Sequence, residues 1–267
     1  MDFKEKYLIT PKYLTSGSKR RSGLFVSPGV KFIVAHDTGN PDSTASGNVR
    51  YYENSRNEMS ASAHLFVDDK EIIECIPALT GQPEKAWHVL YNVPTDNAMF
   101  GHNANDAAIG VEYCYGDRID ADEAYRKFIW SIAKACFIFN LDPNISVVGH
   151  FFLDPKRKTD PITGLARSRR TYEQLLNDIV SEFNECTATE QPKPLAFTAQ
   201  SGIVKSNVKL NIRKGEPNTK IDVVQVVPPG IQLHYIGWVD NGENINNNAK
   251  WYKDVNGNYF WAGGVVS

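Results

Sequence analysis

The sequence predicts an α/β domain whose mixed central sheet is flanked by helices, followed by a small all-β domain. In the first part of the chain, short β-branched apolar runs alternate with segments whose apolar residues recur every three or four positions. In the last part, short strand-like runs are separated by Pro-Gly and Asn-Gly turns, without a helical pattern. A chain of 267 residues can form one medium-sized and one small domain, each with its own core.

The elements of the first domain can be placed in order along the chain. Short β-branched runs predict strands, apolar residues at helical spacing predict helices, and Ser43 and Thr44 are suitable helix caps. The predicted elements are a strand over residues 31–38, a helix from the caps to about Asn54, two strands around a turn at Asp68-Asp69-Lys70, a strand over 107–114, and helices over 121–140 and 171–185.

Residues 187–202 separate the two predicted domains. This segment, TATEQPKPLAFTAQSG, has no periodicity and is rich in Pro, Thr, Ser and Gln, which is typical of a linker. The predicted organisation is a domain over 1–186, a linker over 187–202 and a β domain over 203–267. In so small a domain most of the large aromatic side chains have to be core residues. They are Trp238, Trp251, Tyr252, Tyr259, Phe260 and Trp261.

The composition narrows the classes of partner. A net charge of -2 and a pI near 6.3 argue against a nucleic acid or an anionic membrane held by charge. No apolar run is long enough to insert into a membrane, and the first residues lack a signal-peptide core, so we expect synthesis in the cytoplasm without a Sec signal. Four cysteines without a C-x-x-C pair predict reduced thiols, with Cys136 in the core. The composition does not determine the oligomeric state, for which a monomer is the simplest expectation.

His36 and His150 share a context that suits a metal site, because each follows a short strand-like run. A histidine at a strand end projects toward the loops, although a single histidine is more often an ordinary core or surface residue. The loop after His150 adds Asp154, Lys158 and Asp160, so a carboxylate can fold back toward the imidazoles. Two imidazoles and one carboxylate leave the fourth coordination position of a zinc ion open to water. The metal lowers the pKa of this water to about 7, and an open site of this kind is typical of catalytic zinc.

A hydrolytic metal site also needs a base and a group that stabilises an oxyanion. Glu112, on the strand predicted over 107–114, and Lys158, in the loop, are the candidates. Each has a simpler interpretation: Glu112 as an exposed strand residue, and Lys158 as part of a solvated basic turn over 156–158. The residues alone leave both interpretations open.

Six motifs connect these residues to a known family: VAHDTG around His36, SAHLFVDD around His64, AWH ending at His88, NDAAIGVE ending at Glu112, VVGH ending at His150, and KTDP from Lys158 to Pro161. Their order and spacing are far more specific than any one motif. Through them, residues 31–185 resemble the type 2 family of N-acetylmuramoyl-L-alanine amidases. These zinc enzymes are related to phage lysozyme-type amidases and to peptidoglycan recognition proteins.

The resemblance implies an activity and a set of site residues. It implies one zinc ion held by His36, His150 and Asp160, with Glu112 as general base and Lys158 as transition-state stabiliser. The substrate would be the amide between N-acetylmuramic acid and L-alanine in peptidoglycan. The side chains that would line the substrate groove are His64, Trp87, His88, His102 and Asn105. For His64, a role in the core fits equally well.

The sequence departs from the family pattern at two places. The turn at 68–70 lacks the usual glycine, and AWH is followed by Val89-Leu90-Tyr91 where small residues are expected. Both departures affect the expected shape of the groove and leave the expected metal ligands unchanged.

The last domain resembles, more loosely, a bacterial Src-homology-3 module through VKLNIRKGEPN, the Val-Pro-Pro-Gly turn and AKWYKDVNGNYFWAG. This implies binding to the cell wall. The whole chain is interpreted as an endolysin or wall-degrading effector that reaches the wall by holin-type release or dedicated secretion. The alternatives are a non-catalytic peptidoglycan-binding protein, which the presence of Asp160 argues against, and a zinc hydrolase of another peptidoglycan amide.

Overall fold

The computed structural model describes residues 2–91, 93–188 and 195–266. The chain divides into two compact units, residues 1–188 and 189–267. Within the described ranges, none of the helices combines the length and the apolar character needed to cross a membrane.

A mixed sheet of six strands forms the centre of the first unit. In chain order the strands are β1 (Ile9–Pro11), β2 (Phe32–Asp37), β3 (Leu65–Val67), β4 (Ile72–Glu74), β5 (Ala108–Tyr113) and β6 (Val147–Gly149). Across the sheet their order is β1-β4-β3-β5-β2-β6. The neighbours β3, β5, β2 and β6 run parallel, whereas β4 is antiparallel to β3 and parallel to β1.

In the sequence, helices lie between these strands and after the last of them. They are α1 (Ala45–Asn54), α2 (Thr95–Phe100), α3 (Ala104–Ala107), α4 (Ala121–Ile138), α5 (His150–Leu153), α6 (Ile162–Arg167) and α7 (Tyr172–Thr187). The three predicted helices correspond to α1, α4 and α7, and Thr44, Asp120 and Thr171 cap them through side-chain oxygens. The short helices α2, α3, α5 and α6 were not predicted, because one or two turns show no measurable period.

Each face of the sheet packs against a separate part of the core. All six residues of β2 are buried, as expected for a central parallel strand covered on both faces. On one face, Ile33 and Ala35 belong to a large apolar cluster that includes Trp130 of α4. On the other, Phe32 and Val34 belong to a smaller cluster with residues of α3 and α5. Because side chains alternate along a strand, the residue after Ala35 faces the smaller cluster.

The parallel registers bring the ends of three strands to one edge of the sheet. In the β2–β5 pair, His36 stands opposite Glu112. In the β2–β6 pair, Ala35 stands opposite Gly149, so His150 directly follows the last paired residue of β6. In α/β proteins, the crevice at the carboxyl ends of parallel strands is the usual place for a ligand.

A buried carboxylate stabilises the turn between β3 and β4, which lacks the glycine expected from the family pattern. Asp68 is 1% exposed. Its Oδ1 accepts hydrogen bonds from the backbone N–H groups of Lys70 and Glu71, both at 2.8 Å. Its Oδ2 accepts from the N–H of Ala45, also at 2.8 Å, in the first turn of α1. One side chain therefore shapes the turn and fastens α1 to the sheet.

The second unit contains an antiparallel sheet of seven strands. They are β7 (Phe197–Ser206), β8 (Leu210–Arg213), β9 (Val223–Val227), β10 (Gln232–Val239), β11 (Trp251–Lys253), β12 (Tyr259–Trp261) and β13 (Val265–Val266). Their spatial order is β13-β7-β10-β11-β12-β8-β9. Two apolar clusters, centred on Phe260 and on Trp251, form the core of this unit.

The predicted linker over 187–202 is too long at both ends. Thr187 is the last residue of α7, and β7 begins at Phe197, so residues 197–202 belong to the second sheet. Gly202 pairs there with Tyr235 of β10. The first five residues of β7 are exposed, which explains why their polar composition resembles that of a linker. Residues 189–194 of the predicted linker lie outside the described residues.

Replacement of Asp68 by alanine is expected to lower the free energy of unfolding by about 2–4 kcal/mol, because three backbone N–H groups lose their acceptor. Urea denaturation of the full-length protein measures the change. Asp69→Ala serves as the matched control and should stay within about 0.5 kcal/mol, since its side chain accepts none of these bonds. Equal urea midpoints for the two variants would show that the turn does not depend on Asp68.

Candidate metal centre and active site

Two imidazoles and one carboxylate converge at the carboxyl ends of β2 and β6. His36 Nδ1 lies 2.9 Å from Asp160 Oδ2, and His150 Nδ1 lies 3.0 Å from the same oxygen. The three atoms lie within 4.8 Å of one another. In the part of the chain that the structure describes, no other group of three His, Cys, Asp or Glu side chains has this geometry. These residues are the three expected metal ligands.

The protonation states of these side chains fit a metal site. Both histidines are 2% exposed. Burial lowers the pKa of His36 to about 4, against the opposing effect of its hydrogen bond with Asp160. Burial disfavours the ionised form of Asp160, but hydrogen bonds with His150 and His36 hold its pKa well below the usual range. A neutral imidazole and an ionised carboxylate are the forms in which these side chains bind metals.

The loop that carries Asp160 is fastened to the sheet. The backbone carbonyl of Asp160 accepts a hydrogen bond from Phe151 N at 2.9 Å. Further along, Gly164 N in α6 donates to Asp37 Oδ2 at 2.7 Å, and Gly39 N donates to Asp37 Oδ1 at 2.9 Å. Asp37, the residue after His36, therefore ties β2 to the helix that follows the loop. This role was not predicted from the sequence, although the VAHDTG motif contains the residue.

Asp154, the other carboxylate of this region, is not part of the donor group. It is 4% exposed, and its Oδ2 accepts a hydrogen bond from Arg157 Nε at 2.8 Å. Its backbone carbonyl accepts from Lys158 N at 3.0 Å. Asp154 shapes the loop, whereas Asp160 is the carboxylate that meets the imidazoles.

Glu112 and Lys158 line the same cavity of about 470 Å³ as the three donors. Glu112 is not an exposed strand residue: its Oε2 is buried, without a hydrogen-bond partner among the described residues. Burial, reinforced by the negative charges of Asp160 and Asp37, raises the pKa of Glu112 well above its ordinary value, and Lys158 opposes this. Lys158 is half-buried and is not a freely solvated turn residue. A carboxyl with a raised pKa and an unengaged oxygen in a cavity can accept and deliver a proton.

Two further cavities adjoin the central one and extend it into a groove. The first, of about 640 Å³, shares Thr38 and Glu112 with the central cavity and is lined by polar and apolar side chains on and near α1, among them Asn48, Tyr51 and Met59. The second, of about 300 Å³, shares Lys158 with the central cavity and is also lined by the exposed side chains of Leu90 and Tyr91. Among the residues that the structure describes, Ala61 is the one that lines both side cavities. The donors therefore lie in the middle of the groove.

Trp87 and His88 line both the central cavity and the smaller side cavity. Asn105 also borders the smaller one but is 1% exposed. Its Oδ1 accepts hydrogen bonds from the backbone N–H groups of His88 and Val89, at 2.9 and 3.0 Å. Asn105 thus holds the AWH segment in place, a role that the sequence analysis did not foresee.

The expectation that His64 and His102 line the groove is not met. His64 is fully buried, where its Nε2 donates to the Glu84 carbonyl at 2.9 Å and its Nδ1 accepts from Gly110 N at 2.9 Å. The alternative core role therefore describes it. His102 is half-buried in the turn between α2 and α3, outside all three cavities. A motif gives the position of a histidine in the chain but not the side of a turn on which its ring lies.

Residues 27–163 match the family model described as N-acetylmuramoyl-L-alanine amidase. This segment contains the three donors, Glu112 and Lys158. The chain belongs to the N-acetylmuramoyl-L-alanine amidase family. Two relatives from Bacillus subtilis (strain 168) bear the same enzyme name. CwlA is 36% identical over 220 residues, which are 76% of this chain and 74% of CwlA. BlyA is 30% identical over 178 residues, which are 61% of this chain and only 44% of BlyA.

Solved structures support the α/β fold predicted for the first domain. A mutant endolysin from Bacillus subtilis superposes with a TM-score of 0.51 at 26% identity, covering 65% of this chain and 99% of that one. The Staphylococcus aureus hydrolase AmiA, solved in complex with its ligand, superposes with a TM-score of 0.51 at 23% identity, covering 68% and 85%. At this lower identity the likeness shows the fold alone.

Asp160→Ala is expected to weaken metal binding by more than about 100-fold. Loss of a residue that only orients a metal ligand already lowers metal affinity by about 10–100-fold, and loss of a ligand should cost more. Asp154→Ala is the matched control from the same loop and should retain the metal, since its carboxylate is engaged by Arg157. Competition with a chromophoric zinc chelator measures both affinities. Similar affinities for the two variants, or the reverse order, would show that the third ligand has been wrongly assigned.

Proposed function

We propose that this chain is a zinc-dependent amidase that hydrolyses the bond between N-acetylmuramic acid and L-alanine in peptidoglycan. The observation that carries the proposal is the convergence of His36, His150 and Asp160 in one cavity with Glu112 and Lys158. Membership of the amidase family supports the type of reaction. The proposed role is that of an endolysin or wall-degrading effector, which would reach the wall by holin-type release or dedicated secretion.

Zinc is the metal that best suits the donor set. Imidazole nitrogens with one carboxylate oxygen are common ligands of catalytic zinc, whereas magnesium and calcium prefer sites made only of oxygen. Three protein ligands also leave a position for water. A bound zinc ion would supply Lewis acidity and lower the pKa of water to about 7.

The residues around the donors have complementary roles in this hydrolysis. Glu112 accepts the proton of the attacking water and delivers it to the leaving amine, for which a raised pKa is favourable. Lys158 lies on the same cavity and can stabilise the negative charge that develops on the carbonyl oxygen. Because both side chains are partly withdrawn from water, these electrostatic interactions are stronger than on an open surface.

The groove suits a substrate whose scissile bond lies in its middle. Cavities extend from the donors in two directions, so a sugar can occupy one side and a peptide the other. Different side chains line the two side cavities, Tyr51 and Met59 in the one near α1 and Leu90 and Tyr91 in the smaller one, so each cavity can hold a different part of the substrate.

We also propose that the second unit, whose sequence resembles a bacterial Src-homology-3 module, binds the cell wall. A group of half-buried aromatic rings on β10 and β11 supports this proposal. The ring centroids of Tyr235 and Tyr252 are 4.4 Å apart, and those of Trp238 and Tyr252 are 6.3 Å apart. Lys250 Nζ lies 3.9 Å from the centre of the Trp238 ring. Rings with an exposed edge or face can stack on sugars or hold a peptide. Of the six aromatic residues expected mainly in the core, Trp251, Tyr259 and Phe260 are buried, and the other three are half-buried.

Glu112→Gln is expected to retain folding and zinc while turnover falls by about 10²–10⁴-fold, because glutamine has the shape of glutamate without its basicity. Release of free L-alanine amino groups from peptidoglycan, followed by mass spectrometry, measures the rate and the bond that is cut. Glu173→Gln, an exposed position on α7, is the control. Near-normal turnover of Glu112→Gln would remove this residue from the mechanism. New reducing ends or cleavage at another amide would contradict the proposed reaction.

Residues 189–267 alone are expected to sediment with purified sacculi, since this unit has its own core. Trp238→Ala should weaken this binding by about tenfold, corresponding to ~1.4 kcal/mol for the loss of one stacking ring. The control is His234→Ala, an exposed position on the same strand. Residues 1–188 should still hydrolyse soluble muropeptides. Equal sedimentation of the two variants, or an inactive but folded first unit, would contradict this division of roles.

A further inference from the structure

The two ring nitrogens of His36 face different partners. Its Nδ1 is 2.9 Å from Asp160 Oδ2, on the side of the donor group. Its Nε2 is 3.0 Å from His88 Nδ1, and the two rings meet edge to face with centroids 5.2 Å apart. A neutral imidazole that binds a metal through Nδ1 carries its proton on Nε2. In that state His36 is the donor and His88 Nδ1 is the acceptor.

The position of His88 is fixed from several sides. Its backbone N–H donates to Asn105 Oδ1, and Asn105 Nδ2 donates to the Val89 carbonyl at 2.6 Å. The ring of His64 lies edge to face against it, with centroids 5.6 Å apart. His64 is itself held between the Glu84 carbonyl and the Gly110 N–H. The ring of His88 is therefore placed by a network and is not a loosely packed side chain.

Gly110 on β5 leaves the space that this imidazole pair occupies. A Cβ atom at this position would lie 2.8 Å from His88 Nδ1 and 3.3 Å from His36 Nε2. The first distance is shorter than real Cβ contacts allow, so a side chain here would displace His88. The backbone of Gly110 does not have a positive φ, which means that lack of space, and not backbone conformation, explains the glycine.

We propose that His88 is a positioning residue for the metal: it accepts the Nε2 proton of His36 and thereby fixes the orientation and tautomer of this ligand. Metal-bound histidines usually donate their second nitrogen to a carboxylate, a carbonyl or water. The Nδ1 atom of His88 occupies the place of such an acceptor and adds no further negative charge beside Asp160 and Glu112. The inference rests on the proposed metal site but not on the identity of the amide that is hydrolysed.

Asparagine and leucine at position 88 provide a matched test, because the two side chains have nearly the same size and only asparagine offers an acceptor in the place of Nδ1. In the full-length protein, His88→Leu should weaken zinc binding by about 10–100-fold, and His88→Asn should restore most of the loss. Gly110→Ala should weaken zinc binding with all ligands intact. His102→Leu, outside the site, should have no effect. Chelator competition measures zinc affinity independently of turnover, and the free energy of unfolding of each variant is measured in parallel.

A second measurement uses the unaltered protein and does not depend on how the variants fold. Long-range ¹H–¹⁵N spectra of the zinc-loaded protein report which ring nitrogen carries the proton. We expect His36 protonated at Nε2 and His88 protonated only at Nε2. Equal zinc affinities for the leucine and asparagine variants, or a proton on Nδ1 of His88, would overturn the inference. If the unaltered protein binds no zinc, the proposed metal site is itself wrong. If it binds zinc but the variants or the spectra differ from expectation, only the role of His88 is wrong.

Discussion

The parallel pairing of β2 with β5 and β6 is the constraint on which the site depends. Because residues in register project to the same face, His36 on β2 and Glu112 on β5 stand side by side. The pairing with β6 ends at Gly149, which places His150 at the same edge. A slip of one residue in either pair would turn a side chain to the opposite face of the sheet, into the large apolar cluster. Backbone hydrogen bonds of the sheet therefore fix the spacing between the two histidines and Glu112.

Electrostatic repulsion among the carboxylates would give a bound metal a structural role in addition to the proposed chemical one. Asp37, Glu112 and Asp160 surround the central cavity, and burial together with their mutual repulsion raises the pKa of Glu112. Burial also raises the pKa of Asp37, although its hydrogen bonds from Gly164 and Gly39 act in the other direction. A divalent cation at the donors would lower this repulsion, so metal binding and the stability of the loop are expected to be coupled.

The sequence predicted which residues lie at the ends of the strands. It did not predict positions that depend on the direction in which a side chain points. Short apolar runs identify β2 and β6, and a histidine at the end of such a run faces the loops, so the pattern pointed to His36 and His150, whereas the choice of Asp160 over Asp154 came from the family resemblance. His64, by contrast, directly precedes β3 and is buried between two backbone groups. Asn105 contributes a side-chain oxygen that accepts hydrogen bonds from two backbone N–H groups, and Gly110 contributes the absence of a Cβ. Single-residue patterns carry no signal for either. The exposed start of β7 was taken for linker because a solvated edge of a sheet has the composition of a loop.

A carboxylate, and not a thiol, lies beside the two imidazoles of the proposed metal site. Cys114 is only two residues from Glu112, yet it is fully buried, 3.6 Å from Asn48 Nδ2, and burial raises its thiol pKa well above the ordinary value. Cys75 donates to the Ala63 carbonyl inside the core, and burial likewise raises its pKa. A thiol must lose its proton to bind zinc, which these environments strongly oppose. Hydrogen bonds with the two imidazoles hold the pKa of Asp160 well below its usual range, so this carboxylate would bind a metal without that cost.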